Sequence, residues 1–199
     1  HLATLYLEDL ADLIVECVDP EFGFSRYAER MGRSAYYFDD LHTALKQAPS
    51  YIDNILFDIA EEYLSSVKPR LLLISIPFPG NLFAAFRLAQ YTRKKYPEVK
   101  IAMGGGFVNT ELRSLSDARV FDFFHFVSLD DGELPVEEIC RNIDNPGYGK
   151  YKRTFILQNG EVEYVNNSEQ RDYKQSEVGT PDYSGLKLNK YISVIEVAN

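Results

Sequence analysis

The sequence predicts an α/β fold: a Rossmann-like or flavodoxin-like parallel sheet flanked by helices, followed by a C-terminal β-hairpin and linker. The main observation is that strand-like and helix-like stretches alternate three times between residues 70 and 143. The first strand-like stretch, RLLLISIP, is a continuous apolar run, which is typical of parallel strands buried on both faces. Two runs of alternating polarity flank Asn159-Gly160, a pair that favours a type I′ turn, and so predict the hairpin.

Two helices are predicted before the first strand, because apolar residues recur there at the period of a helix. Residues 2–16 form the first of them, an amphipathic helix, and residues 51–66 form the second. Ser50 and Asp53 have the spacing of a capping box at the start of the second helix. Residues between these helices are aromatic and irregular, and we expect short helical turns there. The apolar residues that set the two periods are Leu2, Leu5, Tyr6, Leu10, Leu13 and Ile14, and Ile52, Ile55, Leu56, Ile59 and Tyr63.

Three strands are expected, at residues 70–77, 99–103 and 121–129, and each is followed by a helix. The first of these helices ends near Tyr96-Pro97. We expect the last helix to be capped by Asp130 or Asp131 and to bury an inert Cys140 thiol. The three helices are marked by Leu82, Phe86 and Ala89, by the stretch NTELRSLS, and by Val136, Ile139, Cys140 and Ile143.

The domain organisation follows from these elements. Residues 1–148 are interpreted as one α/β domain, and residues 149–199 as a hairpin and polar linker that lead to a further domain. Because three strands make a thin sheet, we expect a first strand before His1 and another within residues 13–38. The sequence begins without methionine and stops after YISVIEVAN, so we expect it to be a piece of a longer protein.

Composition narrows the classes of partner. The formal net charge is −9 and no cluster of Lys or Arg is present, which argues against nucleic acids and anionic membranes as partners. No apolar stretch approaches the roughly 18 residues of a membrane span. Cys17 and Cys140 are far apart in the sequence and suggest no disulfide framework, so a reducing cytoplasm is the expected compartment.

Candidate binding residues follow the expected strands. Ligands of open parallel sheets bind beyond the carboxyl ends of the strands, where this sequence has the loops SIPFPGN (75–81), GGGFVN (104–109) and SLDDGE (128–133). Three consecutive glycines let a ligand approach the backbone closely. The alternative is a tight strand-to-helix turn, which usually needs one glycine. The sequence favours a ligand cleft.

The nature of the ligand is limited by motifs that fail. The dinucleotide pattern Gly-x-Gly-x-x-Gly breaks at Asn109, and the phosphate-binding loop of nucleotide hydrolases is absent. Asp130, Asp131 and Glu133 would repel phosphates. They could bind a cation, although an acidic group at a helix start more often complements the helix dipole.

The spacing between the first two loops is similar to that of a known protein family. Twenty-six residues separate Pro77, in Ser75-Ile76-Pro77, from Gly104-Gly105. This arrangement resembles the cobalamin-binding domain of many radical S-adenosylmethionine (radical SAM) enzymes, which has a Ser-x-Leu loop and a later Gly-Gly pair; here proline replaces leucine. The stretches KIAMGGGFVNTELRSLSDARVFDFFHFVSLDDGELPVEEI and GTPDYSGLKLNKYISVIEV are also similar to that family, so the resemblance covers about residues 70–199.

The resemblance implies a site for a corrinoid, whose nucleotide tail lies beside the first loop and enters the sheet where the glycines leave room. It implies that the whole protein is a radical SAM enzyme, in which this domain positions the corrinoid or the substrate over a catalytic barrel. That C-terminal radical SAM domain of the same chain is the expected partner. The implied cofactor-binding residues are Ser75, Pro77, Asn81, Gly104, Gly105 and Gly106, with Asp131, Gly132 and Glu133 in the neighbouring loop.

The sequence also departs from the family. The family's cobalt-ligating pattern is Asp-x-His-x-x-Gly, but Asp40-Leu41-His42 is followed by Leu45 where glycine is required. We interpret His42 as a helix or loop residue and His125 as a core residue, so a bound corrinoid would have no histidine ligand. A [4Fe–4S] cluster that binds S-adenosylmethionine needs three cysteines, and the chain has two. The cluster is therefore expected only in the absent C-terminal domain, and this chain alone is expected to be non-catalytic.

Two alternatives remain open. The first is a degenerate domain that has lost the cofactor and acts as a scaffold or interaction module for the radical SAM domain. It predicts an exposed apolar surface beside the hairpin. The second is an independent nucleotide-binding enzyme, which the failed motifs disfavour.

Overall fold

The computed structural model describes residues 2–20, 38–145 and 149–187. It contains a sheet with helices packed against it, and the α/β fold class is confirmed. The helices are α1 (Leu2–Cys17), α2 (Phe38–Leu45), α3 (Tyr51–Val67), α4 (Leu82–Lys95), α5 (Gly106–Glu111) and α6 (Glu133–Arg141). The strands are β1 (Leu71–Ser75), β2 (Lys100–Gly104), β3 (Phe126–Ser128), β4 (Thr154–Gln158) and β5 (Glu161–Val165). Short 3-10 helices span Pro79–Asn81 and Ala118–Asp122.

The order of the strands across the sheet is the same as their order along the chain. β1, β2 and β3 are parallel, and β4 and β5 continue the sheet in antiparallel orientation. The hairpin is therefore an extension of the parallel sheet, because β4 pairs directly with β3 through Val127 and Phe155. Its turn has φ angles of 52° at Asn159 and 83° at Gly160, and positive φ at both residues is what a type I′ turn requires. The predicted hairpin is confirmed.

The sheet has two faces with different cover. Ile101, Met103, Val127 and Phe155 belong to the larger core cluster, which is completed by α2, α4 and α5 and by residues 118–124. On the other face a smaller cluster forms beneath α6. The inner face predicted for α4 is confirmed, since Leu82, Phe86 and Ala89 are all buried. The smaller cluster consists of Ala102, Phe126, Ile139, Tyr151, Ile156 and Val165.

A buried arginine anchors α2 and α3 to α4. Arg87 on α4 is 3% exposed, and its Nε lies 3.0 Å from Oδ2 of the equally buried Asp53 on α3. Its Nη1 donates to the Leu45 carbonyl at 3.0 Å and its Nη2 to the Ala44 carbonyl at 3.3 Å, at the end of α2. Asp53 also completes the predicted capping box with Ser50, which is confirmed: the Ser50 N–H donates to the Asp53 carboxylate and the Asp53 N–H donates to the Ser50 hydroxyl.

Two expectations about the strands are wrong. β1 is not buried on both faces, because Leu73 is 49% exposed. The reason is that β1 forms the edge of the described sheet, and α6 packs beside β3 rather than over β1. The expected strand at 121–129 is shorter: only Phe126–Ser128 is extended, and residues 118–122 form a 3-10 helix. That helical turn directs Val120, Phe121 and Phe124 into one core, which a strand of alternating faces could not do.

The helices after β2 and β3 also differ from expectation. The helix expected at NTELRSLS begins earlier, at Gly106, directly after β2. The first residue before α6 is Gly132 rather than an aspartate, and no side chain caps that helix. Cys140 is exposed, which contradicts the expected buried thiol. α6 instead buries Ile139 and Glu138, whose carboxylate accepts a 2.8 Å hydrogen bond from the Ser168 hydroxyl.

Some expectations concern residues outside the described ranges. Residues 21–37 contain most of the irregular region for which helical turns were expected and most of the range for an additional strand. Of that range, residues 13–17 belong to α1. α2 supplies one helical stretch in the region before Ser50. No helix within residues 2–20, 38–145 and 149–187 is long and apolar enough to cross a membrane.

His125 precedes β3 and accepts a hydrogen bond at Nδ1 from the Ile101 N–H at 3.0 Å. Its other ring nitrogen faces the Arg93 guanidinium. Burial, and then the charges of Arg93 and Lys100, lower the pKa of His125 to about 3. The ring is therefore neutral in the fold; it is hydrogen-bonded but half-buried, at the margin of the core in which it was expected.

This lowered pKa predicts acid sensitivity. The unfolded chain binds a proton on this histidine below about pH 6.5 while the folded chain does not, so stability present above pH 6.5 is lost as the pH falls toward 3. We expect the protonation of His125 to lower the free energy of unfolding of the parent protein by about 1 kcal/mol per pH unit between pH 6 and 4. His125→Gln should abolish this contribution. Urea unfolding of both proteins at several pH values measures the difference. Parallel stability curves would contradict the assignment of a neutral, half-buried His125.

Candidate functional site

The predicted loops lie together at the carboxyl ends of the parallel strands. Ser75 at the end of β1 is paired in register with Gly104 at the end of β2. The Ile76 N–H then donates to the Gly104 carbonyl at 2.8 Å, and the Phe107 N–H donates to the Ile76 carbonyl at 3.0 Å. These two hydrogen bonds extend the pairing beyond the strands and bind the first loop to the second. The two loops that the sequence spacing singled out, at Ser75 and at the glycines, are therefore in direct contact.

The three glycines allow this close contact between loops. Gly105 has φ 104° and ψ −179°, and a Cβ atom there would lie 2.8 Å from the Ile76 nitrogen. A Cβ on Gly104 would meet the Ser128 hydroxyl at 2.9 Å, and one on Gly106 would meet the Pro77 carbonyl oxygen at 3.1 Å. The groups that approach the glycines in this structure are therefore neighbouring parts of the same chain. The glycines are therefore required by the packing of the loops against one another, which favours the alternative of a tight strand-to-helix turn.

The third loop is attached to the second by polar side chains. Asn109 Oδ1 accepts a 2.6 Å hydrogen bond from the Asp130 N–H, and the Asp130 carboxylate pairs with Arg113. Asp130 is thereby turned away from the role of helix cap, with φ 59°. Arg153, which comes before β4, donates to the Asp131 carbonyl at 3.1 Å. Asn109, Arg113 and Arg153 were not identified from the sequence, because their partners are set by the fold.

The candidate residues differ in accessibility. Most of them are open to solvent, whereas Gly104 and Gly105 are half-buried. The structure adds Phe78, which is 70% exposed although it is a large apolar residue. It lies between two prolines, and its carbonyl accepts a 3.0 Å hydrogen bond from the Asn81 N–H, which closes the loop. The exposed candidates are Ser75, Pro77, Asn81, Gly106, Asp131, Gly132 and Glu133.

The two histidines in the described ranges offer no metal centre at this rim. His42 lies in α2, as interpreted, with its ring 5.6 Å from that of Phe38 and 6.5 Å from that of Phe123, measured between centroids. His125 is engaged with Ile101 and Arg93. The described residues contain no group of three or more His, Cys, Asp or Glu side chains arranged to hold a metal ion. The rim can therefore offer a ligand the Ser75 hydroxyl, the Asn81 amide, the Phe78 ring and backbone groups.

A cavity of about 540 Å³ lies at the opposite, amino-terminal edge of the strands. Its apolar wall includes Leu64, Val99 and Ile143. Arg70 in its lining pairs with Asp144, and Lys68 is the residue that ends α3, where a positive charge complements the helix dipole. This cavity is not formed by the predicted binding loops.

No protein-family model, no curated protein and no solved structure matched the chain.

Proposed function

We propose that this chain is the corrinoid-binding domain of a radical SAM protein, and that it positions the corrinoid over a catalytic domain elsewhere in that protein. The observation that supports this proposal best is the contact between the loop of Ser75 and the loop of Gly104–Gly106 at the carboxyl ends of parallel strands. Ligands of open α/β sheets occupy this edge. The family whose spacing the chain resembles has its cofactor loops at these two positions.

The residues at this rim suit the flat conjugated ring of a corrinoid. The exposed Phe78 ring suits a large flat conjugated ligand, because such ligands stack on aromatic side chains. Ser75 and Asn81 can donate hydrogen bonds to its amide substituents. A bound corrinoid supplies a cobalt atom for the chemistry. His42 and His125 are engaged elsewhere, so neither of them would ligate the cobalt of a bound corrinoid.

The catalytic part of the reaction would belong to another domain. The [4Fe–4S] cluster and S-adenosylmethionine require a set of three cysteines, and the two cysteines of this chain, at 17 and 140, are both exposed on helices. The C-terminal radical SAM domain of the same protein is the proposed partner. This chain would contribute the binding and orientation of the corrinoid.

The test is a titration of the purified chain with hydroxocobalamin, followed by absorbance and calorimetry. We expect saturable binding with a spectrum that shows no histidine coordination. Phe78→Ala should weaken binding about tenfold or more, because loss of aromatic stacking costs about 1–3 kcal/mol. Tyr63→Ala removes a similarly exposed ring on α3 and should leave the affinity unchanged. Absence of binding to a chain shown to be folded by circular dichroism would contradict the proposal.

A scaffold without cofactor is the second candidate, and two observations favour it. Leu157 and Tyr164 on the hairpin are 42% and 46% exposed, which is the apolar surface that this alternative predicts. In addition, strand order follows chain order, so the described strands lack the reversal of order at which open sheets usually form their ligand crevice. Under this alternative, hydroxocobalamin fails to bind while a chain extended by its C-terminal domain unfolds at higher urea concentration.

A further inference from the structure

The outer side of α3 carries an apolar stripe that the domain does not cover. Its residues recur at every fourth position, so they form one ridge along the helix. Each of these side chains is between 41% and 67% exposed. The ridge, called the α3 ridge below, consists of Tyr51, Ile55, Ile59, Tyr63 and Val67.

The α3 ridge is not needed to attach the helix to its own domain. α3 is anchored through its other side: Asp53 pairs with Arg87, and Phe57 stacks on Tyr91 with ring centroids 4.7 Å apart. Leu64 is buried on that same side. The apolar period in the sequence nevertheless runs through Ile55 and Ile59, which the fold leaves exposed. Contiguous exposed apolar surface of this kind marks an interaction site.

Charge indicates what kind of partner fits the ridge. α3 contains four carboxylates and no Lys or Arg, and α1, which has no buried residue, likewise contains four carboxylates and no Lys or Arg. Of the four carboxylates on α3, Asp53 pairs with Arg87 and Glu61 pairs with Lys95. Asp58 and Glu62 are exposed on α3 next to the ridge. A second copy of α3, or α1 of another copy, would bring like charges together and is disfavoured.

We propose that the α3 ridge docks a basic amphipathic helix of a partner, with an apolar stripe flanked by Lys or Arg. The apolar stripe would cover the ridge, and the cations would lie against Asp58 and Glu62. Such a pairing follows the usual geometry of helix packing, in which the rows of side chains four residues apart fit into the grooves of the facing helix. This inference does not depend on corrinoid binding, since the ridge is on a helix and the cofactor loops follow the strands.

The test uses a synthetic probe peptide: a 17-residue amidated helix with a leucine stripe flanked by lysines, labelled with fluorescein. A second peptide of the same pattern has glutamate at every lysine position. We expect the lysine peptide to bind the chain saturably by fluorescence anisotropy and to weaken as salt is raised, because exposed charges are screened. The glutamate peptide should bind at least tenfold more weakly.

Variants locate the binding surface. Ile55→Ser with Ile59→Ser should weaken the lysine peptide at least tenfold, and so should Asp58→Lys with Glu62→Lys, which retains the apolar ridge. The matched control is Leu157→Ser with Tyr164→Ser on the hairpin, which should change the affinity less than twofold. Folding of each variant is checked by circular dichroism. Equal loss in the hairpin variant, equal binding of the glutamate peptide, or concentration-dependent self-association of the chain would overturn the proposal.

Discussion

Replacing Arg87 by methionine is expected to lower the free energy of unfolding by about 3–5 kcal/mol, the usual cost of removing one partner from a buried ion pair. The methionine would fill most of the space but would leave the Asp53 carboxylate, which is 3% exposed, without its cation. The carbonyl groups of Ala44 and Leu45 would lose the guanidinium as a donor but would keep their hydrogen bonds from the Gln47 N–H and the Gln90 side chain. Because these groups belong to α2 and α3, the substitution should loosen both helices from α4 together.

The measurement is urea unfolding at pH 7 followed by far-ultraviolet circular dichroism. Arg70→Met is the matched control, since the Arg70 side chain is 69% exposed and pairs with a 77% exposed Asp144. Exposed pairs contribute about 0–1 kcal/mol, so the control should be close to the parent protein. Equal effects of the two substitutions would contradict the assignment of Arg87 as the anchor of α2 and α3.

Gly105→Ala is expected to be the second most destabilising change and to lower the free energy of unfolding by about 3 kcal/mol or more. Backbone angles near φ 104° and ψ −179° are essentially restricted to glycine, and strain in such regions costs about 1–3 kcal/mol. The added Cβ would also lie 2.8 Å from the nitrogen and 2.9 Å from the oxygen of Ile76. Relief of that contact requires the backbone of the first loop to move away from the second.

Gly132→Ala provides the comparison for Gly105→Ala. Gly132 has φ −81° and ψ −15°, which alanine adopts readily, and no atom lies within 4 Å of the position of its Cβ. We expect its free energy of unfolding to stay within about 1 kcal/mol of the parent. Both glycines are candidate binding residues, but only Gly105 is required by the backbone and by packing. A loss of stability in Gly105→Ala alone would therefore be an effect on the fold and not on a ligand. A stable, normally folded Gly105→Ala protein would show that the two loops are not held as described.

Much of the fold could be predicted where local chemistry decides the backbone. The capping box at Ser50 and Asp53 depends on residues three apart, and the hairpin turn on the tolerance of Asn159 and Gly160 for positive φ. The run around Phe121 and Phe124 was mistaken for a strand because alternation alone cannot distinguish a strand from a short helical turn that buries several aromatic residues. The helical turn forms here because it buries these aromatic residues in the core beneath α4.

The orientation of helices could not be predicted from periodicity. The apolar period of α3 indicates an amphipathic helix, and its bounds at Tyr51–Val67 agree with expectation. The face that packs was nevertheless decided by Arg87, a residue 34 positions after Asp53, and by the stacking of Phe57 on Tyr91. A similar effect exposes Cys140, since burial of Glu138 against Ser168 sets the rotation of α6.

The candidate site shows the same division. Pattern spacing correctly predicted that the loops after β1 and β2 would lie next to each other, because parallel neighbours end at the same edge of a sheet. The sequence could not reveal that the space beside Gly105 is filled by Ile76, since that contact depends on the register of Ser75 against Gly104. Nor could it indicate that Phe78, unlike most phenylalanines of the chain, is left exposed by the core.

The order of the strands has a consequence for how the chain folds. Each strand pairs with the one before it: Leu71 with Lys100, Ala102 with Phe126, and Val127 with Phe155. In the described sheet, every strand pairs with a strand that is its neighbour in the sequence. The sequence separations between paired residues are therefore short, and long separations are what slows the folding of β-sheets. During synthesis, each new strand leaves the ribosome after its partner has already been made. The sheet can then grow from its amino-terminal edge in the direction of translation, and β5 closes it last.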